Sequence, residues 1–301
     1  MMTATILVSG GPRGRLVSGE PMARHNSWRA GGAADRYFEP ADIDDLAAFL
    51  PTLPAAEPIL WIGLGSNLLV RDGGIRGTVI NTTIGLGRCE WIGDGVLHAE
   101  AGVPCAKIAK LASKAQRGGA EFLAGIPGSM GGALAMNAGA FGGETWDLVT
   151  RVETIDRSGQ RRWRGRAEFD IAYRQVRRPA GEWFIVAELA FKPDRDRQGE
   201  ARIRDLLGRR ASTQPLGLPS CGSVFRNPPG DFAGRLIEAC GLKGERIGGA
   251  AVAERHANFI VNDGKATAAD IESLIERVRE KVRAAHGVEL VPEVCIVGEP
   301  A

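Results

Sequence analysis

The sequence is poor in several things, and each scarcity excludes a class of protein. Five cysteines (Cys89, Cys105, Cys221, Cys240, Cys295) are scattered over 301 residues without a CxxC pair, and four histidines (His25, His98, His256, His286) show no ligand spacing. No structural metal is therefore expected, and the thiols suit a reducing compartment. Charge of one sign is also missing: 38 Lys+Arg against 36 Asp+Glu leave a formal net charge of +2. No whole-molecule field recruits nucleic acid or anionic lipid, so an anionic partner must be caught locally. The N-terminus, MMTATILVSGGPRGRLVSGE, has neither a basic region nor an adequate apolar region for a secretory signal, which makes a cytoplasmic protein the expectation. Residues 122 to 143 lie uncharged between Glu121 and Glu144, but seven glycines, Pro127, Ser129 and Asn137 leave too few large apolar side chains for a membrane span.

What the chain has in quantity is glycine, 41 residues of it. Backbone amides grip a phosphate closely only where no Cβ holds it off, and successive amides form anion-binding nests. Two segments qualify: GLGSNLLV (63–70) and GIPGSMGGALAMNAGAFG (125–142). Neither is a common nucleotide fingerprint. GxGxxG requires glycine where Leu68 stands, and the second segment lacks the Lys-Ser/Thr pair of a P-loop. The competing reading is structural, with the glycines making tight turns and close packing. Two such segments, each with an Asn (Asn67, Asn137), favour the phosphate reading.

Elsewhere the patterns are local. DIDDLAAFL reads as a short helix, PILWIGLGSNLLV as a buried strand that enters and leaves a glycine turn, and VLHAEAGV as a strand. PCAKIAKLASKAQRGG reads as a helix with Pro104 at its start, an apolar face of Ile108, Leu111, Ala112 and Ala115, and Gly118 as its stop. LVTRVETIDRSGQRRWRG reads as two strands turning at Ser158-Gly159, and EWFIVAELAF as the strongest strand. The charged stretch 192–200 marks a domain boundary, followed by helices in ARIRDLLGRRAS and DFAGRLIEACGL. A helix over 268–286 is capped by Thr267 and Asp270, carries the stripe Ile271, Leu274, Ile275, Val278 and Val282, and stops at Gly287. VELVPEVCIVG closes the chain as a strand. Short hairpins in the first half predict an α+β fold rather than a doubly wound sheet. The basic run RSGQRRWRGR with Trp163 reads as a solvated hairpin face, not a nucleic-acid site.

In order along the chain stand SWRAGGAAD, GLGSNLLV, GIPGSMGGALAMNAGAFG, AYR, GSVFRNP, IGGAAVAERHANFIVN and LVPEVCIVG. From about Asn26 to Gly298 this series resembles the UDP-N-acetylenolpyruvoylglucosamine reductase family, flavoenzymes of peptidoglycan precursor synthesis, in its shorter variant without an extra tyrosine-bearing loop. The resemblance implies a two-subdomain FAD-binding fold of the vanillyl-alcohol oxidase type over residues 26–194, after an N-terminal tail 1–25, and a C-terminal α+β substrate domain over 195–301. It implies FAD as cofactor, NADPH as co-substrate and a UDP-sugar carrying an enolpyruvyl ether as substrate. The oligomeric state stays open, a monomer being compatible.

By the same resemblance the FAD diphosphate is wrapped by Leu64, Gly65, Ser66, Asn67 and Leu68 together with Gly125, Ile126, Pro127, Gly128, Ser129, Gly131, Gly132, Asn137, Gly139 and Ala140. Reduction of the vinyl ether pushes negative charge into the neighbouring carboxylate, which calls for a preorganised cation and an acid. The resemblance assigns Arg174 as the cation, Ser223 as the proton donor, and Glu293 as a group that orients or protonates the substrate. Without it, Arg174 reads as a surface residue beside Arg177 and Arg178, and Ser223 as a turn serine. Val176 stands where the family usually has Ser, and Cys221 reads as packing. Tyr173, Arg226, Asn227, His256 and Asn258 are candidates for the UDP-sugar, with His256 equally readable as structural. Two other classes compete: an oxidase that uses O₂, and a non-catalytic nucleotide-sugar binder.

Overall fold

In the computed structural model, residues 12–301 are described, and Met1 to Gly11 of the expected tail lie outside them. The chain divides into two compact units: Met1–Ser18, Arg36–Leu64 and Gly77–Arg210 form the first, while Gly19–Asp35, Gly65–Arg76 and Ala211–Ala301 form the second. The charged stretch 192–200 lies within the first unit, and the division falls later, after Arg210, in helix α4 (Gly199–Thr213). The rest of the expected tail is ordered: Arg15–Pro21 is an edge strand. Its sequence gave no strand signal because Val17 and Glu20 alone are buried, and Glu20 accepts its contact from the His25 ring at 2.9 Å.

The first unit holds two apolar cores. One lies against a four-stranded sheet in the order Arg15–Pro21, Ala33–Glu39, Ile75–Asn81, Ile59–Ile62, with the last two parallel. Helix α1 (Ile43–Phe49), capped by the Asp42 carboxylate on the Asp45 amide, adds Leu46 and Phe49 to Phe38 and Ile80 there. The other core lies on a five-stranded antiparallel sheet, in the order Arg161–Gly165, Val149–Asp156, Glu182–Ala190, Val96–Glu100, Cys89–Gly93. Its central strand feeds both cores, Phe184, Ala187 and Leu189 into one and Ile185 and Val186 into the other. A strand apolar on both faces reads as an unbroken hydrophobic run, which is why EWFIVAELAF stood out in the sequence.

Helix α2 (Cys105–Lys114) buries Cys105, Ile108, Ala109 and Ala112, and stops short of Gly118 because Gln116 already turns left-handed at φ 55°. The glycine segment contains a further helix, α3 (Met130–Met136), which its composition concealed. Ser158-Gly159 turns the hairpin as expected. The basic run on that hairpin is neutralised locally: Arg161 pairs with Glu153, Arg162 with Asp156, and Arg164 with Glu182 and Glu168, while Arg151 lies 4.3 Å above the Trp163 ring.

In the second unit, α6 (Ala268–His286) has the capping box of Thr267 and Asp270, and Gly287 ends it at φ 67°. All five stripe residues are buried against a small sheet of Arg246–Ile247, Ala250–Val252 and Ile260–Asn262, with α5 (Ala233–Ala239) alongside. Trp28 is enclosed in this core, donating from Nε1 to the Ile260 carbonyl (2.8 Å) and accepting on its own carbonyl from Asn262 (2.7 Å). The closing strand is shorter than expected, Cys295–Val297, and runs parallel to Leu68–Val70. Among the described residues no helix is long and apolar enough to cross a membrane, and no group of His, Cys, Asp or Glu could hold a metal ion.

Candidate active site

A cavity of about 230 Å³ opens in the first unit between the strand Ile59–Ile62, Gly63, the start of α3 at Gly131, Gly132 and Ala135, and Trp183 and Phe184. The Trp61 and Trp183 rings stack at 5.1 Å. Among the described residues, two polar atoms at this place are buried without a hydrogen-bond partner, Trp61 Nε1 and Ser129 Oγ. A Cβ on Gly63 would overlap Ser129 Oγ, whereas a Cβ on Gly132 would meet nothing nearer than that same oxygen at 3.8 Å. Aromatic walls, side-chain-free backbone and unanswered buried donors suit a ligand with flat heteroaromatic and phosphate parts, as FAD has. Trp61, Trp183 and Gly63 were absent from the expected cofactor residues; ring stacking between residues 122 positions apart leaves no trace in a linear pattern.

Of the expected cofactor residues, Leu64 and those from Gly125 to Ala140 belong to the first unit, and Gly65 to Leu68 to the second. Their parts differ. Pro127 is exposed, Ile126 is buried in the apolar core, and Gly139 and Ala140 pair with Glu144 and Gly143. Asn137 is enclosed by the protein. At 1% exposure and φ 45°, it donates from Nδ2 to Glu144 (2.8 Å) and to the Ala172 carbonyl (3.2 Å), and accepts from the Trp146 amide (3.2 Å). Its carboxamide thus ties the segment to Glu144, Ala172 and Trp146. Leu68 is likewise a buried strand residue, and the Asn67 side chain donates to the Glu293 carbonyl at 2.9 Å.

Arg174 tops the hairpin formed by Asp170–Ala172 and Gln175–Arg177, at φ 54°. Its guanidinium donates to the Gly139 carbonyl at 2.7 Å and the Asn137 carbonyl at 3.3 Å, and lies 5.0 Å from the Tyr173 ring. It borders a cavity of about 410 Å³ with Gly139 to Glu144, Asp147 and Tyr173. Arg177, by contrast, is exposed and faces Asp170 at 3.6 Å. The two neighbours thus separate into an anchored cation and a surface one. Val176 packs against the apolar core.

The main chain that follows Ser223 is hydrogen-bonded to that of Glu293 within the second unit. Ser223 follows Gly222 (φ 71°); the next residue, Val224, accepts on its carbonyl from the Glu293 amide at 2.7 Å, and Phe225 bridges Pro292. Cys221 is buried, contacts the Leu68 carbonyl with Sγ at 3.4 Å, and burial pushes its thiol up to about 12, so packing is its role. Arg226 Nε is buried without a hydrogen-bond partner among the described residues. The Asn227 side chain accepts from the Ala233 amide at 3.1 Å, at the start of α5. His256 packs edge-on against Phe259 at 4.8 Å, and burial lowers its pKa, so it is neutral near pH 7. Asn258, expected at the UDP-sugar, is 3% exposed and hydrogen-bonds both main-chain groups of Phe225.

Comparison with known proteins bears on this arrangement. Residues 34–164 match the family profile described as FAD binding domain, and residues 214–297 the one described as UDP-N-acetylenolpyruvoylglucosamine reductase, C-terminal domain. The chain is 60% identical over 287 residues to the UDP-N-acetylenolpyruvoylglucosamine reductase of Methylococcus capsulatus, covering 95% of this chain and 94% of that one. It is 60% identical over 286 residues to the reductase of Alkalilimnicola ehrlichii, covering 95% and 96%. The crystal structure of the reductase from Thermus caldophilus superposes with a TM-score of 0.81 at 31% identity, covering 94% of this chain and 98% of that chain. The fold is accordingly the vanillyl-alcohol oxidase type of FAD-binding fold followed by an α+β C-terminal part. On full-length identity of this size the chain belongs to the UDP-N-acetylenolpyruvoylglucosamine reductase family.

Proposed function

We infer that the chain reduces UDP-N-acetylglucosamine enolpyruvate to UDP-N-acetylmuramate at the expense of NADPH, as an FAD-containing oxidoreductase of peptidoglycan precursor synthesis. The observation that carries this reading is the identity of 60% along 95% of the chain to reductases of that name. When bound, FAD supplies the carrier that accepts hydride from NADPH and hands it on to the substrate. Trp61, Gly63, Ser129, Gly131, Gly132 and Trp183 are the residues proposed to hold it, with residues 26–194 as its domain and 195–301 as the substrate domain.

The rest of the chemistry is proposed for three side chains. Addition of hydride to the terminal enolpyruvyl carbon drives charge into the carboxylate, and Arg174 meets that charge with a guanidinium that forks onto two oxygens. The resulting enediolate takes a proton at C2 from the Ser223 hydroxyl. Serine is a weak acid in water, so its proton moves only because the developing charge pulls it and a neighbouring group restores it. Glu293, joined to the Ser223 segment through Val224, is proposed to orient the substrate and assist that transfer. Arg226, with its unanswered Nε, is the better placed of the expected UDP-sugar residues. The protein is proposed to act in the cytoplasm on small molecules, without a nucleic-acid or membrane partner.

The test is a visible spectrum taken anaerobically. The purified protein is expected to be yellow, to bleach with NADPH, and to regain its colour on adding the enolpyruvyl UDP-sugar. A flavin that NADPH reduces and that substrate never reoxidises defeats the reaction assigned here, and fast recovery with O₂ alone selects an oxidase instead.

A further inference from the structure

The segment that carries Ser223 is held from two sides by different means. On one side the main chain 291–293 supplies partners: the Glu293 amide donates to Val224 (2.7 Å), and the Arg226 amide donates to Val291 (2.9 Å), around the bridge between Phe225 and Pro292. In such a bridge the amide and carbonyl of Phe225 itself point the other way, and Pro292 has no N–H to offer in any case. There the answering groups come from one side chain. Asn258 Oδ1 accepts from the Phe225 amide at 3.0 Å, and Asn258 Nδ2 donates to the Phe225 carbonyl at 2.8 Å. The Asn258 carbonyl also accepts from the Val224 amide at 2.9 Å. One carboxamide therefore does what an adjacent strand would do, in a place where Val224 is 1%, Phe225 2% and Asn258 3% exposed.

We propose that Asn258 is a positioning residue for proton delivery: it fixes the register of the Ser223 segment against Glu293, and it does not bind the UDP-sugar. The proposal rests on the reaction read above, in which Ser223 gives up the proton. Its physical basis is that Val224 is clamped between Asn258 and Glu293, so a shift of that clamp moves the Ser223 hydroxyl and the Glu293 backbone relative to one another. Without the carboxamide, two buried main-chain groups lose their partners and the segment must move to find others. No residue near Asn258 in sequence announces this, since the partner lies 33 positions away.

The experiment uses the FAD-loaded enzyme and two variants in anaerobic stopped flow, following flavin reduction by NADPH and flavin reoxidation by the enolpyruvyl UDP-sugar separately. Asn258→Ala removes both bonds to Phe225, and Asn258→Asp keeps the acceptor but loses the donor. Both are expected to be reduced by NADPH at close to the wild-type rate and to be reoxidised about 10- to 100-fold more slowly, the range that a misplaced reacting group produces. KM for the UDP-sugar is expected to stay near its wild-type value, and the solvent deuterium effect on reoxidation to grow as proton transfer becomes limiting. A raised KM with unchanged kcat returns Asn258 to substrate binding and overturns the proposal. Equal slowing of both half-reactions, or loss of folded flavoprotein in both variants, assigns it to general stability and overturns the proposal as well. A wild-type flavin that the substrate fails to reoxidise overturns the reaction itself, an outcome visible before either variant is made.

Discussion

The two glycine-rich segments look alike in the sequence and are built on opposite principles. In the turn over 63–68, Gly65 is held at φ 62°, and a Cβ there would run into main chain, the carbonyl oxygen of His25 and the Asn26 Cα at 2.7 Å. Main chain cannot rotate aside. In the segment 125–143, a Cβ on Gly125 would meet the Phe141 ring and one on Gly143 the Phe122 ring, each at 2.5 Å, while one on Gly132 would make only an ordinary contact at 3.8 Å and one on Gly142 would meet nothing within 4 Å. The first segment spends its critical glycine on letting two stretches of chain touch. The second spends Gly132 on keeping a wall of a cavity clear. Tight packing accounts for Gly65, while the clear cavity wall at Gly132 is the place where the phosphate reading is put to the test.

The largest effect that separates the two is expected at Gly65. An alanine there takes a left-handed backbone, which costs about 1–2 kcal/mol, and overlaps main chain, which adds about 1–3 kcal/mol. Gly65→Ala should therefore lose about 2–5 kcal/mol in urea unfolding. Cys221 gives a local readout, because its Sγ lies against the carbonyls of Gly65 and Leu68, and burial pushes its thiol up to about 12. Thiolate is the reactive form, so near pH 8 native Cys221 stays silent to iodoacetamide, and in the variant it is labelled. Unchanged stability and an unlabelled thiol would erase the distinction between the segments.

What was legible beforehand follows from the range of the forces involved. Helix α6 was readable nearly end to end because its cap (Thr267, Asp270), stripe and Gly287 stop are all local signals along one segment. The Arg-rich hairpin was readable as a turn and a solvated face, though not as the set of pairs with Glu153, Asp156 and Glu182. The closing strand was overdrawn, since 291–293 serve the Ser223 segment and pairing with Leu68–Val70 starts only at Cys295. Asn137 and Asn258 enter the expected site through the resemblance, and their hydrogen bonds within the protein were not legible in the sequence. Asn137 bonds Glu144 and Trp146 nearby and also Ala172, 35 positions away, and Asn258 bonds Phe225, 33 positions away; separations of that size leave no local pattern. Arg174 was found through resemblance, and its anchoring on Gly139 is what distinguishes it from Arg177.

A smaller effect should appear at Gly132, and with a different signature. This glycine sits inside α3 with the nearest atom to a prospective Cβ at 3.8 Å, so the protein itself has room for a methyl group. Replacing an interior helical glycine by alanine stabilises by about 0.5–1 kcal/mol. Gly132→Ala should accordingly raise the melting temperature of the flavin-free protein slightly while weakening FAD binding by about tenfold, or 1.4 kcal/mol, because the methyl takes up space that the cavity keeps clear. Flavin fluorescence titration reads the affinity and calorimetry the stability. A variant that binds FAD normally would show that the cavity at Gly131 and Gly132 is not where the cofactor lies.

The smallest and most discriminating change is at Ser129, whose hydroxyl is buried at the head of α3 with no partner. A buried hydroxyl without a hydrogen bond is a net cost, so Ser129→Ala should leave the flavin-free protein as stable as the wild type or up to about 1 kcal/mol more so. The same hydroxyl, once answered by a ligand, contributes about 0.5–1.5 kcal/mol, and the variant forgoes that. The quantity to follow is the rise in melting temperature on adding FAD, which should shrink in Ser129→Ala even as the baseline holds or climbs. Opposite movement of the two states is the mark of a group kept for a ligand, since a residue that serves the fold alone lowers both. If the flavin-free variant is the one that weakens, Ser129 belongs with Gly65 among the residues that hold chain to chain, and the contrast between the two segments narrows to Gly132.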